Sequence, residues 1–162
     1  MKSILFLSFI VFSLSVSGQT LRTTFSKDLS RWEFDGQTFR TTFSNDWDSW
    51  EAGSTKIKTV FSDDWDNWQI GSDIKLRTTF SNDFDGWELH GNGKTIYIKT
   101  TFSDDYERWS ISGDVTGTIR TTFSDNYERW DIQLNGSVSE ELEKGIVFVA
   151  IFKEHNQWCF PI

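Results

Sequence analysis

The sequence is poor in the residues that most constrain a chain, because its 162 residues include one cysteine and one proline. Cys159 has no second cysteine to pair with, so no internal disulfide can hold the fold together. We interpret it as a small buried residue rather than as half of an intermolecular bridge. With only Pro161 to interrupt pairing, the chain is free to form long strands.

The chain also lacks a run of basic residues, and its formal net charge is −8. Nucleic acid and anionic membranes attract proteins through clustered lysine and arginine, so we expect neither of them as the partner. A glycan and another protein are the partner classes that this composition leaves.

Only the N-terminus contains an extended apolar stretch, which runs from Ile4 to Val16 after Lys2 and ends at Ser17 and Gly18. This order is typical of a secretory signal peptide, and the stretch is shorter than the about 20 residues of a membrane-spanning helix. The sequence predicts a signal peptide over residues 1–18 that is cleaved after Gly18, with an uncleaved anchor as the alternative. The mature chain would have no transmembrane segment and would be secreted or periplasmic.

Residues 19–136 consist of six repeats of about twenty residues, and each repeat contains the eleven-residue pattern Arg/Lys-Thr-Thr/Val-Phe-Ser-x-Asp/Asn-aromatic-Asp/Glu-x-Trp, which we number as positions 1–11. The first copy departs from it at position 8, which is Leu29, and at position 9, which is Ser30. The copies start 18 to 22 residues apart, at Arg22, Arg40, Lys58, Arg77, Lys99 and Arg120. A repeat of this strength decides the architecture before any local feature is considered.

Each copy reads as a β-hairpin. Apolar and threonine side chains alternate into the phenylalanine, as in Ile74, Leu76, Thr78 and Phe80, and alternate again after the tryptophan. Serine and aspartate at positions 5 and 7 form the first turn, and glycine supplies a second turn of variable length. If the residues that flank each glycine turn pair directly, opposite charges meet there, for example at Glu33–Arg40, Glu51–Lys58 and Glu88–Lys99.

The fold class predicted is therefore all-β, six antiparallel hairpins in one meander whose aromatic face forms the core. A closed barrel or prism is favoured, and an open hairpin solenoid, a face covered by another chain and a β-trefoil are the alternatives. The predicted core consists of the position-4 and position-11 rings: Phe25, Trp32, Phe43, Trp50, Phe61, Trp68, Phe80, Trp87, Phe102, Trp109, Phe123 and Trp130.

Residues 137–162 break the repeat and are predicted to cap it. Ser137 to Gly145 is predicted to form a turn or short helix that is capped by serine and ended by glycine. Ile146 to Phe152 is continuously apolar and β-branched, which favours a strand buried on both faces.

Two sets of turn residues are candidate ligand sites. The aromatic side chains at position 8 could stack on sugar rings, but a role in plugging the end of the core is favoured, because aromatic side chains are more often buried; they are Trp47, Trp65, Phe84, Tyr106 and Tyr127. The paired carboxylates could bind calcium weakly, but turn capping is favoured, because one turn offers fewer than the six to eight oxygens that calcium takes; they are Asp46, Asp48, Asp64, Asp66, Asp83 and Asp85. No other cofactor is expected.

Catalysis has little support in the sequence. His90 and His155 are isolated, and six equivalent turns lack the asymmetry that an acid–base pair requires. The sequence predicts an exported, non-enzymatic repeat protein that serves as a binding or structural surface module in the cell envelope or in adhesion. A carbohydrate-binding lectin that uses the turn aromatics is the alternative.

Overall fold

The computed structural model describes residues 17–44, 46–103 and 105–159, without the side chains of Ser17 and of residues 153–159, so the predicted signal peptide lies mostly outside the described residues. The described part contains twelve strands and one helix. They are β1 (Ser17–Thr23), β2 (Arg31–Phe34), β3 (Gln37–Thr41), β4 (Ser49–Ala52), β5 (Thr55–Thr59), β6 (Asn67–Ile70), β7 (Ile74–Phe80), β8 (Asp83–Gly91), β9 (Lys94–Thr100), β10 (Arg108–Gly113), β11 (Thr116–Phe123), β12 (Asn126–Asn135) and α1 (Glu140–Cys159).

The strands form a closed antiparallel meander. Each strand pairs with its neighbours in the chain, and β1 also pairs with β12, where Leu21 lies opposite Trp130. The predicted all-β hairpin meander is confirmed, in its closed form. Closure leaves no unpaired sheet edge, which removes the usual route to edge-to-edge aggregation. Because the chain reverses at every turn, the six Ser-x-Asp turns share one end of the barrel and the glycine turns share the other.

The predicted pairing across the glycine turns is wrong by two residues. Glu33 lies opposite Thr38 instead of Arg40, because Asp35 and Gly36 alone form the turn, both with positive φ (46° and 75°). Such two-residue turns match the twist of the strands that they join. A slip of two residues leaves every side chain on its predicted face, so the tryptophan face still points inward.

Opposite charges meet instead inside four of the six hairpins, between position 1 and the residue that follows the tryptophan. Ion pairs of this kind join Arg22 to Glu33 at 3.0 Å, Arg40 to Glu51 at 3.2 Å, Arg77 to Glu88 at 2.7 Å and Arg120 to Asp131 at 3.9 Å. The hydrogen bond from Arg77 lowers the pKa of Glu88. Exposed pairs like these contribute only about 0.2–1 kcal/mol each, so they set alignment more than stability.

The C-terminal segment is a helix inside the barrel, and the predicted strand over Ile146–Phe152 is wrong. All seven of these residues are fully buried, and seven residues cover nearly two helical turns, so the barrel surrounds the helix on every side. A continuous apolar run does not distinguish a buried strand from a buried helix. Within a closed lumen only the helix satisfies its own backbone hydrogen bonds.

The predicted serine cap is present, but the helix continues through the glycine at which it was expected to end. The Leu142 NH donates to Ser139 Oγ at 3.4 Å, and the Glu143 NH donates to the Ser139 carbonyl at 2.9 Å. A Cβ on Gly145 would lie 2.7 Å from Leu89 Cδ1 and 2.9 Å from Ile70 Cδ1. Gly145 therefore allows the helix to approach the barrel wall closely, which its sequence pattern does not reveal.

The barrel is wide enough for one helix and a surrounding layer of tryptophan side chains. Twelve strands about 4.8 Å apart give a radius of about 9 Å or more, depending on strand tilt. An α-helix with its side chains is about 10 Å across. The space between helix and wall holds the six position-11 tryptophans, which are 0–1% exposed, so this half of the predicted core is confirmed: Trp32, Trp50, Trp68, Trp87, Trp109 and Trp130.

Candidate functional site

The position-4 phenylalanines are exposed at the Ser-x-Asp end of the barrel, so their assignment to the core is wrong. Their exposed fractions run from 60% to 72%, against 0–1% for the position-11 tryptophans. We call this set the phenylalanine crown: Phe25, Phe43, Phe61, Phe80, Phe102 and Phe123.

The geometry of the hairpin tip explains the exposure. Between Thr78 and Phe80 the pairing register shifts, because Thr78 lies opposite Trp87 whereas Phe80 lies opposite Asp83. The return strand therefore holds two extra residues, which form a bulge and bend the tip. The same shift occurs before Phe123. In the other four repeats the phenylalanine lies two residues beyond the end of its strand. In all six repeats the position-8 side chain packs against the core end, where an inward-facing phenylalanine would otherwise pack.

The tips begin with tight turns, and in the four repeats where the third turn residue is described, that residue is left-handed. The carbonyl of Phe61 accepts a hydrogen bond from the Asp64 NH at 3.1 Å, and Phe25, Phe43 and Phe102 make the equivalent bond. The described position-6 residues have φ of 57–64°, a conformation that asparagine and aspartate tolerate better than other residues with side chains. They are Lys27, Asp63, Asn82 and Asp125.

The position-8 side chains, the predicted sugar platforms, are half-buried and pack against the core. Each ring tilts against the tryptophan three residues later, with centroids 5.7 Å apart for Trp47–Trp50 and 6.2 Å apart for Tyr106–Trp109. Trp65 also stacks on Phe152 of α1 at 5.6 Å, and Phe84 lies 6.0 Å from the same ring. This packing agrees with the plug interpretation, and a ligand role for these rings stays a prediction.

The position-11 indoles tie the tips to the core. In all six repeats the indole NH donates to the backbone carbonyl of position 8, at 2.7 Å for Trp32–Leu29 and 3.2 Å for Trp87–Phe84. The other four bonds measure 2.8–3.0 Å. The position therefore requires both a large apolar ring and a donor on its edge, which the indole combines.

The carboxylates predicted as calcium ligands cap the turns. Asp64 Oδ1 accepts from the Asp66 NH at 3.3 Å, and Asp46 and Asp83 accept from the NH two residues later in the same way. Such bonds satisfy backbone donors that a tight turn leaves unpaired. Among the residues that the structure describes, no three acidic, histidine or cysteine side chains come together as a metal site. Calcium binding stays an untested alternative to turn capping.

The position-9 carboxylates link neighbouring tips. Asp66 accepts from Ser81 Oγ at 2.7 Å and from the Asn82 NH at 3.0 Å. Glu128 accepts from Ser26 Oγ at 3.1 Å and from the Lys27 NH at 2.7 Å, so the last repeat holds the first. These contacts fix the crown as one rim rather than as six separate loops.

The rim is strongly acidic. Its described carboxylates at positions 6, 7 and 9 outnumber its cations at positions 6 and 10, which are Lys27, Arg31, Arg108 and Arg129. The carboxylates are Asp28, Asp46, Asp48, Asp63, Asp64, Asp66, Asp83, Asp85, Asp105, Glu107, Asp125 and Glu128. The rim thus combines exposed aromatic rings with negative charge.

The opposite end of the barrel carries the charged start of α1. Lys144 is buried and donates to Thr55 Oγ1 at 3.0 Å and to Glu140 Oε1 at 2.7 Å. Burial, together with the negative charges of Asp35 and Glu140, raises the pKa of Glu143. This end has no exposed aromatic ring among the described residues, so it offers a weaker contact surface than the crown.

Comparison with protein-family models, with curated proteins and with solved structures finds no match for this chain. None of the described helices is both long and apolar enough to cross a membrane. The geometry of the barrel is therefore the basis for the function proposed below.

Proposed function

We propose that this protein is an exported, non-enzymatic hairpin-repeat module that binds its partner through the phenylalanine crown, as a surface component of the cell envelope or in adhesion. The observation that carries the proposal is the exposure of all six position-4 phenylalanines at one end of a closed barrel. Soluble proteins that present several large apolar side chains on one surface commonly use that surface to bind.

Packing does not account for the crown. The core end beneath it is already closed by the position-8 side chains and the position-11 indoles. An exposed phenylalanine gains little free energy on folding, since most of its surface stays in water. A role in contact with a partner explains why the rings are present in every repeat.

Export is supported by the N-terminal pattern and by the position of β1. Ser17 and Gly18 pair with Leu134 and Gln133 at the end of this strand. Cleavage after Gly18 would leave five residues in β1, the length of β3 and β5. Mass spectrometry of the secreted chain tests this point, and an N-terminus at Gln19 is the expected result.

A non-enzymatic role is supported by the equivalence of the tips and by the surroundings of the histidine that the structure describes. His90 lies on the barrel wall, where its ring nitrogens are 3.1 Å from Thr95 Oγ1 and 3.3 Å from Glu88 Oε2. The side chain of His155 lies outside the described residues. Turnover of any substrate by the purified protein would contradict this part of the proposal.

Binding of the neutral dye Nile red to the folded protein tests the crown as a contact surface. We expect the double variant F61S/F80S to lose a clear share of the dye fluorescence, because it removes two of the six exposed crown rings. Tyr97 is the matched control, since it is 45% exposed but lies on the barrel wall, and Y97S should keep the signal. Equal fluorescence from all three proteins would refute the proposed surface.

The lectin alternative rests on the partial exposure of the position-8 rings beside the turn carboxylates. The variant Trp65→Leu distinguishes a lectin from a module that binds through the crown. We expect it to fold, because the first repeat already carries Leu29 at this position. A lectin would lose glycan-array binding in this variant, whereas a module that binds through the crown would show no such binding to lose.

A further inference from the structure

The charge around the crown selects the kind of partner. Each exposed ring stands within a few residues of turn carboxylates, and Asp63 and Asp125 are themselves exposed at the tips that carry Phe61 and Phe123. A second copy of this chain, placed crown to crown, would bring two acidic rims together. An anionic surface would meet the same repulsion.

We infer that the crown binds a cationic polypeptide surface, one that presents arginine or lysine beside apolar side chains. This inference rests on the proposed function and adds the chemistry of the partner. A cation placed over the face of a phenylalanine ring is attracted by its π electrons, and the carboxylates of the same tip can pair with it. Apolar side chains of the partner would cover the remaining ring surface.

The spacing of the tips favours a helical partner segment. Adjacent tips are two strands apart, which is about 10 Å. Residues seven apart on one face of an α-helix are separated by about 10.5 Å. A helix with arginines seven residues apart can therefore place one cation at each of two neighbouring rings, such as Phe61 and Phe80.

The probe for the test is a fluorescently labelled helical peptide of arginine and leucine with this spacing, and its control has glutamate in place of arginine. Fluorescence anisotropy with the full mature chain should show that the arginine peptide binds and that the glutamate peptide does not. The affinity should fall at least about tenfold between about 50 and about 500 mM salt, because exposed charges are screened. The triple variant F43S/F80S/F123S leaves no two neighbouring rings in the crown, so it should weaken binding at least about tenfold. D63N should weaken binding less, and Y97S should leave it unchanged.

Several results would overturn the inference. They are that the arginine peptide does not bind, that both peptides bind equally, or that the wild type and F43S/F80S/F123S have equal affinity for the arginine peptide. Crown-dependent binding to vesicles of zwitterionic phosphatidylcholine in place of the peptide would identify a lipid surface as the partner, and a crown-dependent dimer in sedimentation would identify a second copy. If any of these results is obtained while Nile red binding still depends on the crown, the crown remains the proposed contact surface and only the inference of a cationic partner is wrong. Unchanged thermal melting of each variant establishes that its fold is intact.

Discussion

Replacing a phenylalanine by alanine should cost several kcal/mol more unfolding free energy in the lumen of the barrel, at Phe152, than in the crown, at Phe61. Phe152 of α1 is fully buried, with Trp65, Trp68 and Trp87 at centroid distances of 4.8–5.7 Å. Phe61 is 72% exposed. The chemical change, phenylalanine to alanine, is the same at both positions, so the difference isolates the environment.

The magnitude follows from the cavity that the lumen variant leaves. Replacing a buried phenylalanine by alanine costs about 3–5 kcal/mol, since the rigid surroundings collapse only partly. A surface substitution usually changes stability by less than about 0.5 kcal/mol. Total stabilities of small domains are about 5–15 kcal/mol, so Phe152→Ala should remove a large share of the free energy of unfolding.

Urea unfolding followed by far-UV circular dichroism measures both variants. The midpoint should fall markedly for Phe152→Ala and stay near the wild-type value for Phe61→Ala, with similar slopes. If the two variants lose equal stability, or if Phe61→Ala loses more, the helix does not fill the barrel as described and the crown belongs to the core.

Three further predictions concern the turns and the helix start. Lys27→Asn should raise the free energy of unfolding by about 0.5–1 kcal/mol in urea titration, because Lys27 is left-handed (φ 64°) and asparagine accepts that conformation more readily; a loss of stability would contradict the turn geometry. Glu143→Gln should stabilise the protein at pH 7, because the folded state raises the pKa of Glu143 and so penalises its charged form. This gain should shrink as the pH falls through the raised pKa and vanish below the ordinary glutamate pKa, where both states are protonated; a gain that persists at low pH would exclude a charge effect. Millimolar calcium should leave the melting temperature unchanged, since the paired carboxylates already cap backbone NH groups, and a clear increase would show a metal site.

The repeat made the barrel predictable in outline, because six hairpins with one apolar face must close or be covered. It did not distinguish Phe61 from Trp68, since both are large, aromatic and present at their positions in every copy. The difference arises because Phe61 lies beyond the end of β5, whereas Trp68 pairs with Thr59 inside the sheet. The position-8 ring of this repeat packs against the core in place of the phenylalanine. Pairing across the hairpin determines where each strand ends, and no single residue of the repeat pattern marks that point.

The helix in the lumen was unpredictable for a different reason. The run Ile146–Phe152 is apolar at every position, so it has neither the period of an amphipathic helix nor that of a half-buried strand. What decides its conformation is the closed wall around it, which offers no strand edge to pair with. The crown therefore emerged as the candidate site only when closure and tip geometry were both known.

Hydrogen exchange of the tryptophan indole NH groups tests whether the position-11 rings lie inside a closed barrel and donate hydrogen bonds to the position-8 carbonyls. In ¹⁵N-tryptophan-labelled protein, single tryptophan-to-phenylalanine variants assign the signals of Trp32, Trp50, Trp68, Trp87, Trp109 and Trp130. We expect all six indole NH groups to exchange slowly and as one set, since exchange requires the barrel to open. Rapid exchange of these indoles in the folded protein would contradict this arrangement.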